Sequence, residues 1–219
     1  MDLIHTLLDF IHNLGDYQFW GQIFSQYGTL TFIFLFIIIF AETGLVIAPF
    51  LPGDSLLFAA GMATALGGLN VLVLLLLLII AAFIGNTVNY YIGRYVGPAI
   101  LEREKIPFIK KKHLVSTHAY YEKKGAFAII LGRFIPFVRT FVPFVAGIGK
   151  MDQKKYLLYT AIGAVLWVTP FLLIGYSLGS NEWVKIHFHQ ISLSIVFITV
   201  LPFLWGIAKE FFGKKNTES

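Results

Sequence analysis

Apolar runs at residues 31–41, 71–84, 156–174 and 191–207 approach or reach the ~20 residues that cross ~30 Å of hydrocarbon. Between them the pattern changes character twice. Within 29–66, the stretches 30–41 and 55–65 are each too short to span, and they flank a break at Pro49-Phe50-Leu51-Pro52-Gly53-Asp54. They predict the two arms of a re-entrant hairpin. Within 126–149, Pro136 and Pro143 remove helix donors and clash with the preceding turn, while Gly147 and Gly149 loosen the exit. Near the start, Leu3, Leu7, Leu8, Ile11 and Leu14 stand against Asp9, His12 and Asn13 at helical spacing. That spacing predicts an N-terminal helix within 1–28 that lies in the membrane interface or caps the bundle.

Composition turns these elements into a class. With 57% hydrophobic and 13% charged residues and a mean hydropathy of +0.75, the 219-residue chain has too little polar surface to coat a water-soluble globule. The expected fold is an all-α polytopic membrane protein forming one membrane domain. No export signal precedes the first apolar run, which lacks any Lys or Arg before it, so uncleaved insertion is expected.

Charge placement sets orientation. Eight of the 17 Lys and Arg lie between Arg94 and Lys124, which makes 94–125 a cytoplasmic basic loop, expected to rest against anionic headgroups or simply to be solvated. Lys150, Lys154 and Lys155 form a second cluster and Lys209, Lys214 and Lys215 a third. A full crossing by 126–149 would put the Lys150 cluster outside, so this segment is read as a second re-entrant hairpin. Non-helical backbone at that depth survives only when buried in protein or facing a wet cavity. Crossing helices are expected at 70–93, 156–179 and 191–208, followed by a cytoplasmic tail at 209–219. The N-terminus is expected outside and the C-terminus inside.

The two halves then repeat one plan in opposite orientation, a hairpin followed by a crossing helix, as in many transporters. Pro49-Phe50-x-x-Gly53 matches Pro143-Phe144-x-x-Gly147, and Ile92-Gly93-x-x-x-Gly97 matches Ile174-Gly175-x-x-x-Gly179. Gly85, Asn89 and Gly93 recur every fourth residue, a face suited to close helix packing with Asn89 as an interhelical hydrogen bonder. Asn86 and Tyr90 are candidates for the same packing or for lining a lipid path.

Four ionisable residues stand inside hydrophobic, proline-broken sequence: Glu42, Asp54, Arg133 and Arg139. An ionised group near the bilayer centre costs roughly 2.5–3.5 kcal/mol. Guanidinium stays charged in any protein setting and its planar fork matches phosphate oxygens, so Arg133 and Arg139 are read as lipid-phosphate ligands. The alternative is that they only pair with Glu42 and Asp54, and the two arrangements can alternate in one cycle. Carboxylates can shed charge by taking a proton, which makes Glu42 and Asp54 the proton-coupling candidates. Asp54 after Gly53 also suits a helix cap, and Glu42 could be permanently paired or snorkelled. Pro49, Pro52, Gly53, Pro136, Pro143 and Gly147 are read as shaping the hairpins.

Other chemistries find no footing. Zero Cys excludes disulfides and thiolate metal sites. His187-Phe188-His189 reads as solvated or headgroup-contacting imidazole, so no metal and no cofactor is expected. There is no Walker-type loop, metal-binding acidic cluster or Ser-His pair in the membrane segments, and an enzyme is not expected.

Glu42-Thr43-Gly44, Pro49 to Ser55, Asn89-Tyr90-Tyr91-Ile92-Gly93-Arg94, and Arg133 to Thr140 with Ala146-Gly147 together resemble the bacterial DedA family, within the wider VTT-domain group. The resemblance runs from about residue 2 to 205. It implies a lipid-translocating protein of the bacterial cytoplasmic membrane, with undecaprenyl phosphate as leading cargo, proton-motive-force dependence, embedded acids at Glu42 and Asp54, and essential arginines at Arg133 and Arg139. Asn86 stands where some relatives carry an acid, so no proton-relay role carries over to it. A phosphatidylethanolamine flippase or energy-independent scramblase is the alternative, and a proton or small-ion antiporter the second. Expected partners are phosphate-headgroup lipids, protons and the anionic membrane surface, with no nucleic acid and the oligomeric state open.

Overall fold

The computed structural model describes residues 26–45, 53–65, 70–102, 129–134, 136–187, 190, 191 and 194. These are helical almost throughout, and no strand occurs among them. The main helices are α1 (Leu30–Gly44), α2 (Gly53–Ala65), α3 (Val71–Glu102), α4 (Pro136–Ile148), α5 (Gln153–Leu178) and the short α6 (Glu182–Ile186). The expected N-terminal helix, Pro49 and Pro52, most of the basic loop, nearly all of the run at 191–208 and the tail at 209–219 lie outside the described residues.

Among the described residues, two stretches are long and apolar enough to cross a membrane, Val71–Gly97 within α3 and Gln153–Leu178. Asn70 starts α3 by accepting from the backbone N–H groups of Leu72 and Val73 at 2.9 and 3.2 Å. Along α3, Leu72, Leu76, Ile80 and Ile84 face outward every fourth residue, the first two 64% and 62% exposed, while Leu74, Leu78, Ala81 and Ala82 face the bundle. A stripe of bare aliphatic side chains is suited to hydrocarbon and unsuited to water. At about 1.5 Å per residue, α3 is roughly 48 Å long, more than the hydrocarbon thickness. It continues beyond Gly93, where the crossing was expected to end, because Gly97 packs against Ile148 and Arg94 turns back to donate to the Tyr90 hydroxyl at 2.7 Å.

The short helices pack on the long ones rather than on each other. α1 lies along α3, with Gly44 crossing Gly85 so closely that a methyl on Gly85 would sit 2.1 Å from Thr43 Oγ1. α2, buried from Gly53 to Thr64, lies along α5. A helix surrounded on every side needs no amphipathic stripe, and its sequence Gly53-Asp54-Ser55-Leu56-Leu57-Phe58-Ala59-Ala60 shows none. α4 lies along α3.

The α2/α5 and α4/α3 seams are built alike. A methyl on Gly61 would lie 2.1 Å from the Leu172 carbonyl oxygen and 2.8 Å from the Tyr176 nitrogen; on Gly147 it would lie 2.0 Å from the Tyr90 oxygen and 2.7 Å from the Arg94 nitrogen. From the other side, a methyl on Gly175 would lie 2.1 Å from the Phe58 oxygen and one on Gly93 2.1 Å from the Phe144 oxygen. Methyls on Gly179 and Gly97 would lie 2.9 and 3.0 Å from the Met62 and Ile148 α-carbons. The correspondence of Gly93 and Gly97 with Gly175 and Gly179 agrees with the sequence match. Phe144 and Gly147 stand to α3 as Phe58 and Gly61 stand to α5, each pair meeting the opposing backbone; the other sequence match involves Pro49 and Phe50, which lie outside the described residues.

The second proline-broken segment has one break where two were expected. The chain is helical at 129–132, turns through Arg133 and Phe134, and restarts with Pro136 as the first residue of α4. Proline fits that position because its missing N–H has no intrahelical partner there anyway. Pro143 sits inside α4 without ending it. α4 instead ends in a Schellman turn, with Met151 N–H bonding Ala146 O at 3.0 Å and Lys150 N–H bonding Gly147 O at 3.0 Å, Lys150 taking φ 51°. Asp152 then caps α5 by accepting from Lys155 N–H at 2.9 Å.

Candidate functional site

Each of the four embedded ionisable residues sits at the end of a short helix. Glu42 is in the last turn of α1, Asp54 in the first turn of α2, Arg139 in the first turn of α4, and Arg133 just before the Pro136 restart. All four are buried, none more than 7% exposed. Short helices that end inside the bundle carry these groups into its interior.

Arg139 spans the two acids. Its Nη2 donates to Glu42 Oε1 and its Nη1 to Asp54 Oδ1 at 2.6 Å, so one guanidinium bridges carboxylates from α1 and α2. Asp54 Oδ1 also accepts from Trp167 Nε1–H at 2.8 Å. The Trp167 ring lies against the same guanidinium, 4.8 Å from Arg139 Cζ to the ring centroid. Asp54 therefore faces arginine and indole, although its place in the first turn of α2 also favours a negative charge there. Gly53 makes room for Glu42, since a methyl there would sit 1.8 Å from Oε2, an oxygen with no hydrogen-bond partner among the described residues.

Arg133 is placed differently. Its Nη1 and Nη2 are buried and have no hydrogen-bond partner among the described residues. Its side chain passes over Gly163 of α5, where a methyl would lie 2.9 Å from Cδ and 3.0 Å from Nε. The guanidinium is within electrostatic reach of Tyr156 and of Arg139. Two like charges therefore stand near one another in a buried interior, and among the described residues only Arg139 is engaged by carboxylates.

The polar residues of α3 hold the assembly together. Asn89 Nδ2 donates to the Thr43 carbonyl of α1 at 3.2 Å and to the Thr140 carbonyl of α4 at 2.8 Å. Asn86 turns its side-chain amide to its own helix, donating to the Ala82 oxygen at 3.0 Å, while its backbone carbonyl accepts from Tyr156 OH at 2.7 Å. Tyr90 is fully buried, stacks on Tyr156 at 4.2 Å, donates to Met151 O at 2.6 Å and accepts from Arg94. Gly147 lines the α4 face toward α3 and Pro143 is buried within α4; Pro49 and Pro52 lie outside the described residues, and Pro136 is placed by its backbone alone.

Sequence reasoning missed Trp167 and Gly163, both on α5. The overlooked signal was a tryptophan near the middle of an apolar run, where this residue is unusual because its amphipathic ring favours the two interfaces.

Against this geometry, the VTT domain family matches residues 51–177. "Protein DedA" of Escherichia coli K12 is 42% identical over 204 residues, 92% of each chain. The chain is a VTT-domain protein of the DedA family. Within the family it is also similar to "Uncharacterized membrane protein Rv0364" of Mycobacterium tuberculosis H37Rv, 37% identical over 213 residues covering 96% of this chain and 93% of the relative. "Inner membrane protein YqjA" of Escherichia coli K12 is 32% identical over 195 residues, 86% and 88% of the two chains. No solved structure matches. The matched VTT region contains Asp54, Arg133, Arg139 and Trp167, while Glu42 on α1 precedes it. This DedA family member is a membrane protein.

Proposed function

We propose that this DedA family protein carries a phosphate-bearing lipid inward across the bacterial cytoplasmic membrane, with undecaprenyl phosphate as the leading cargo and phosphatidylethanolamine as the second. The supporting observation is Arg133, a buried guanidinium whose two terminal nitrogens have no partner among the described residues, beside an Arg139 occupied by two acids. A buried cation without a counter-charge is costly, and an oxyanion that accepts both donors relieves the cost. The chemistry required is binding and release, so the reading is a carrier and not an enzyme.

Proton coupling follows from charge balance. With Glu42, Asp54, Arg133 and Arg139 all ionised, the four formal charges sum to zero. An incoming phosphate would leave the site negative unless a proton neutralises Glu42 or Asp54, which also releases Arg139 toward the headgroup. Moving each negative charge against an inside-negative potential costs about 2.3 kcal/mol per 100 mV, and a proton travelling with it removes that cost.

The two equivalent glycine seams support an inverted repeat in which each half contributes a hairpin and a crossing helix. In this reading the first hairpin supplies the acids, the second the arginines, and the N-terminus lies outside with the C-terminus cytoplasmic. The chain has no Cys, so a single Lys150→Cys reports orientation directly: cytoplasmic labelling supports the re-entrant second hairpin, and periplasmic labelling refutes it.

The deciding experiment is reconstitution into vesicles with undecaprenyl phosphate or phosphatidylethanolamine, measuring inward movement with and without an imposed pH gradient. Transport of a phosphate lipid that responds to the gradient and is abolished by Arg133→Ala is expected. Equal movement by the Arg133→Ala protein would defeat the reading.

A further inference from the structure

A buried threonine inside a helix can return its hydroxyl to its own backbone. Thr43, Thr64 and Thr87 do so, at 2.7, 2.6 and 2.7 Å from the carbonyls of Ile39, Gly61 and Phe83. Buried Thr31 on α1 and Thr160 on α5 both depart from this pattern, and the one near the arginines is Thr160. It is fully buried, and its Oγ1 has no hydrogen-bond partner among the described residues.

Its position on α5 gives the free hydroxyl a meaning. Thr160 lies four residues after Tyr156 and three before Gly163, so the three share one helix face. That is the face over which Arg133 runs, with its Cδ and Nε against Gly163 and its guanidinium in electrostatic reach of Tyr156. Trp167, one turn beyond Gly163, closes the same face toward Asp54 and Arg139. The unused donors Nη1 and Nη2 of Arg133 and the unused hydroxyl of Thr160 are therefore gathered on one wall of the bundle.

We propose that Thr160 is the third donor of an oxyanion-binding site whose cation is Arg133. A guanidinium fork engages two oxygens of a tetrahedral anion in its own plane, which leaves the remaining oxygens out of that plane. A hydroxyl presented from the adjacent helix wall can donate to one of them. The ligand class is a phosphate oxyanion, and a lipid headgroup and free phosphate share that chemistry. This inference rests on the reading of Arg133 as the anion receptor and adds a residue from a different helix to it.

The test is titration of the purified full chain, in phosphate-free detergent, with inorganic phosphate and separately with a single-chain alkyl phosphate. Thr160→Val keeps the shape of the side chain and removes the hydroxyl, so binding should weaken about tenfold or more, and Thr160→Ser should recover most of it. Thr160→Ala, interpreted in the same way, replaces the valine variant if that protein does not elute as a single species. Preference for the alkyl phosphate identifies the lipid source, and equal affinity identifies free phosphate; either supports the site. Unchanged affinity in Thr160→Val and Thr160→Ala overturns the role of Thr160 and leaves Arg133 standing. Unchanged affinity in Arg133→Gln, or no binding of either probe by the unmodified protein, overturns the receptor reading and this inference with it.

Discussion

Replacing Gly147 by alanine tests whether the α4/α3 seam is as tight as its geometry states. The added methyl would lie 2.0 Å from the Tyr90 oxygen and 2.7 Å from the Arg94 nitrogen, both backbone atoms of a long helix that cannot rotate away. Ordinary contact begins near 3.4 Å, so the helices must part by roughly 1.4 Å, and a gap of even ~1 Å forfeits up to about half of each dispersion well along the seam. A loss of about 3 kcal/mol is expected, at the upper end of overpacking costs. Thermal unfolding followed by size-exclusion fluorescence in detergent measures it. Gly61→Ala should cost the same within about 1 kcal/mol, because its clashes with Leu172 and Tyr176 reproduce those of Gly147. Gly149→Ala is the control: its nearest neighbour, the Val145 oxygen, is 3.3 Å away, and little change is expected. A Gly147→Ala protein melting with the parent, or a large gap between Gly61→Ala and Gly147→Ala, would refute the reasoning.

Arg139→Ala leaves Glu42 and Asp54 buried without their cation and should destabilise by about 3–5 kcal/mol, with the Arg139→Ala/Glu42→Gln/Asp54→Asn protein recovering part of that loss in the same melting assay. Trp167→Phe keeps an aromatic ring beside Arg139 but removes the donor to Asp54, and a loss of about 1–3 kcal/mol is expected; Trp167→Leu, which also removes the ring, should melt lower still. Lys150→Gly relieves a left-handed backbone at the α4 terminus and should raise stability by about 1 kcal/mol, readable as a higher melting temperature.

The embedded acids and arginines were legible because charge inside apolar sequence is expensive wherever the chain folds, so Glu42, Asp54, Arg133 and Arg139 announce themselves without a structure. Which arginine holds the acids was not legible, since that depends on where Pro136 restarts α4 and sends Arg139, and not Arg133, toward α1 and α2. Trp167 stands out as a mid-run indole, but its role needed the structure, because only there is its N–H seen to meet Asp54. The short arms at 30–41 and 55–65 were legible from their length, and they correspond to α1 and α2. Gly-containing motifs recur by composition alone, so sequence does not say which glycines meet an opposing backbone. Only backbone contacts distinguish Gly61 from Gly53. Pro143 was overread as a break: in a helix packed along α3, tertiary contacts outweigh one missing hydrogen bond.

Asn89 has a mechanical consequence. Its single amide nitrogen is shared between the carbonyls of Thr43 and Thr140, one from the arm carrying Glu42 and one from the arm carrying Arg139. One amide group cannot follow two oxygens that separate, so either arm can leave α3 only by surrendering its own hydrogen bond to Asn89. The acid-bearing and arginine-bearing arms are thus yoked through a side chain that bears no charge, and a shorter or apolar residue at that position would let them drift apart.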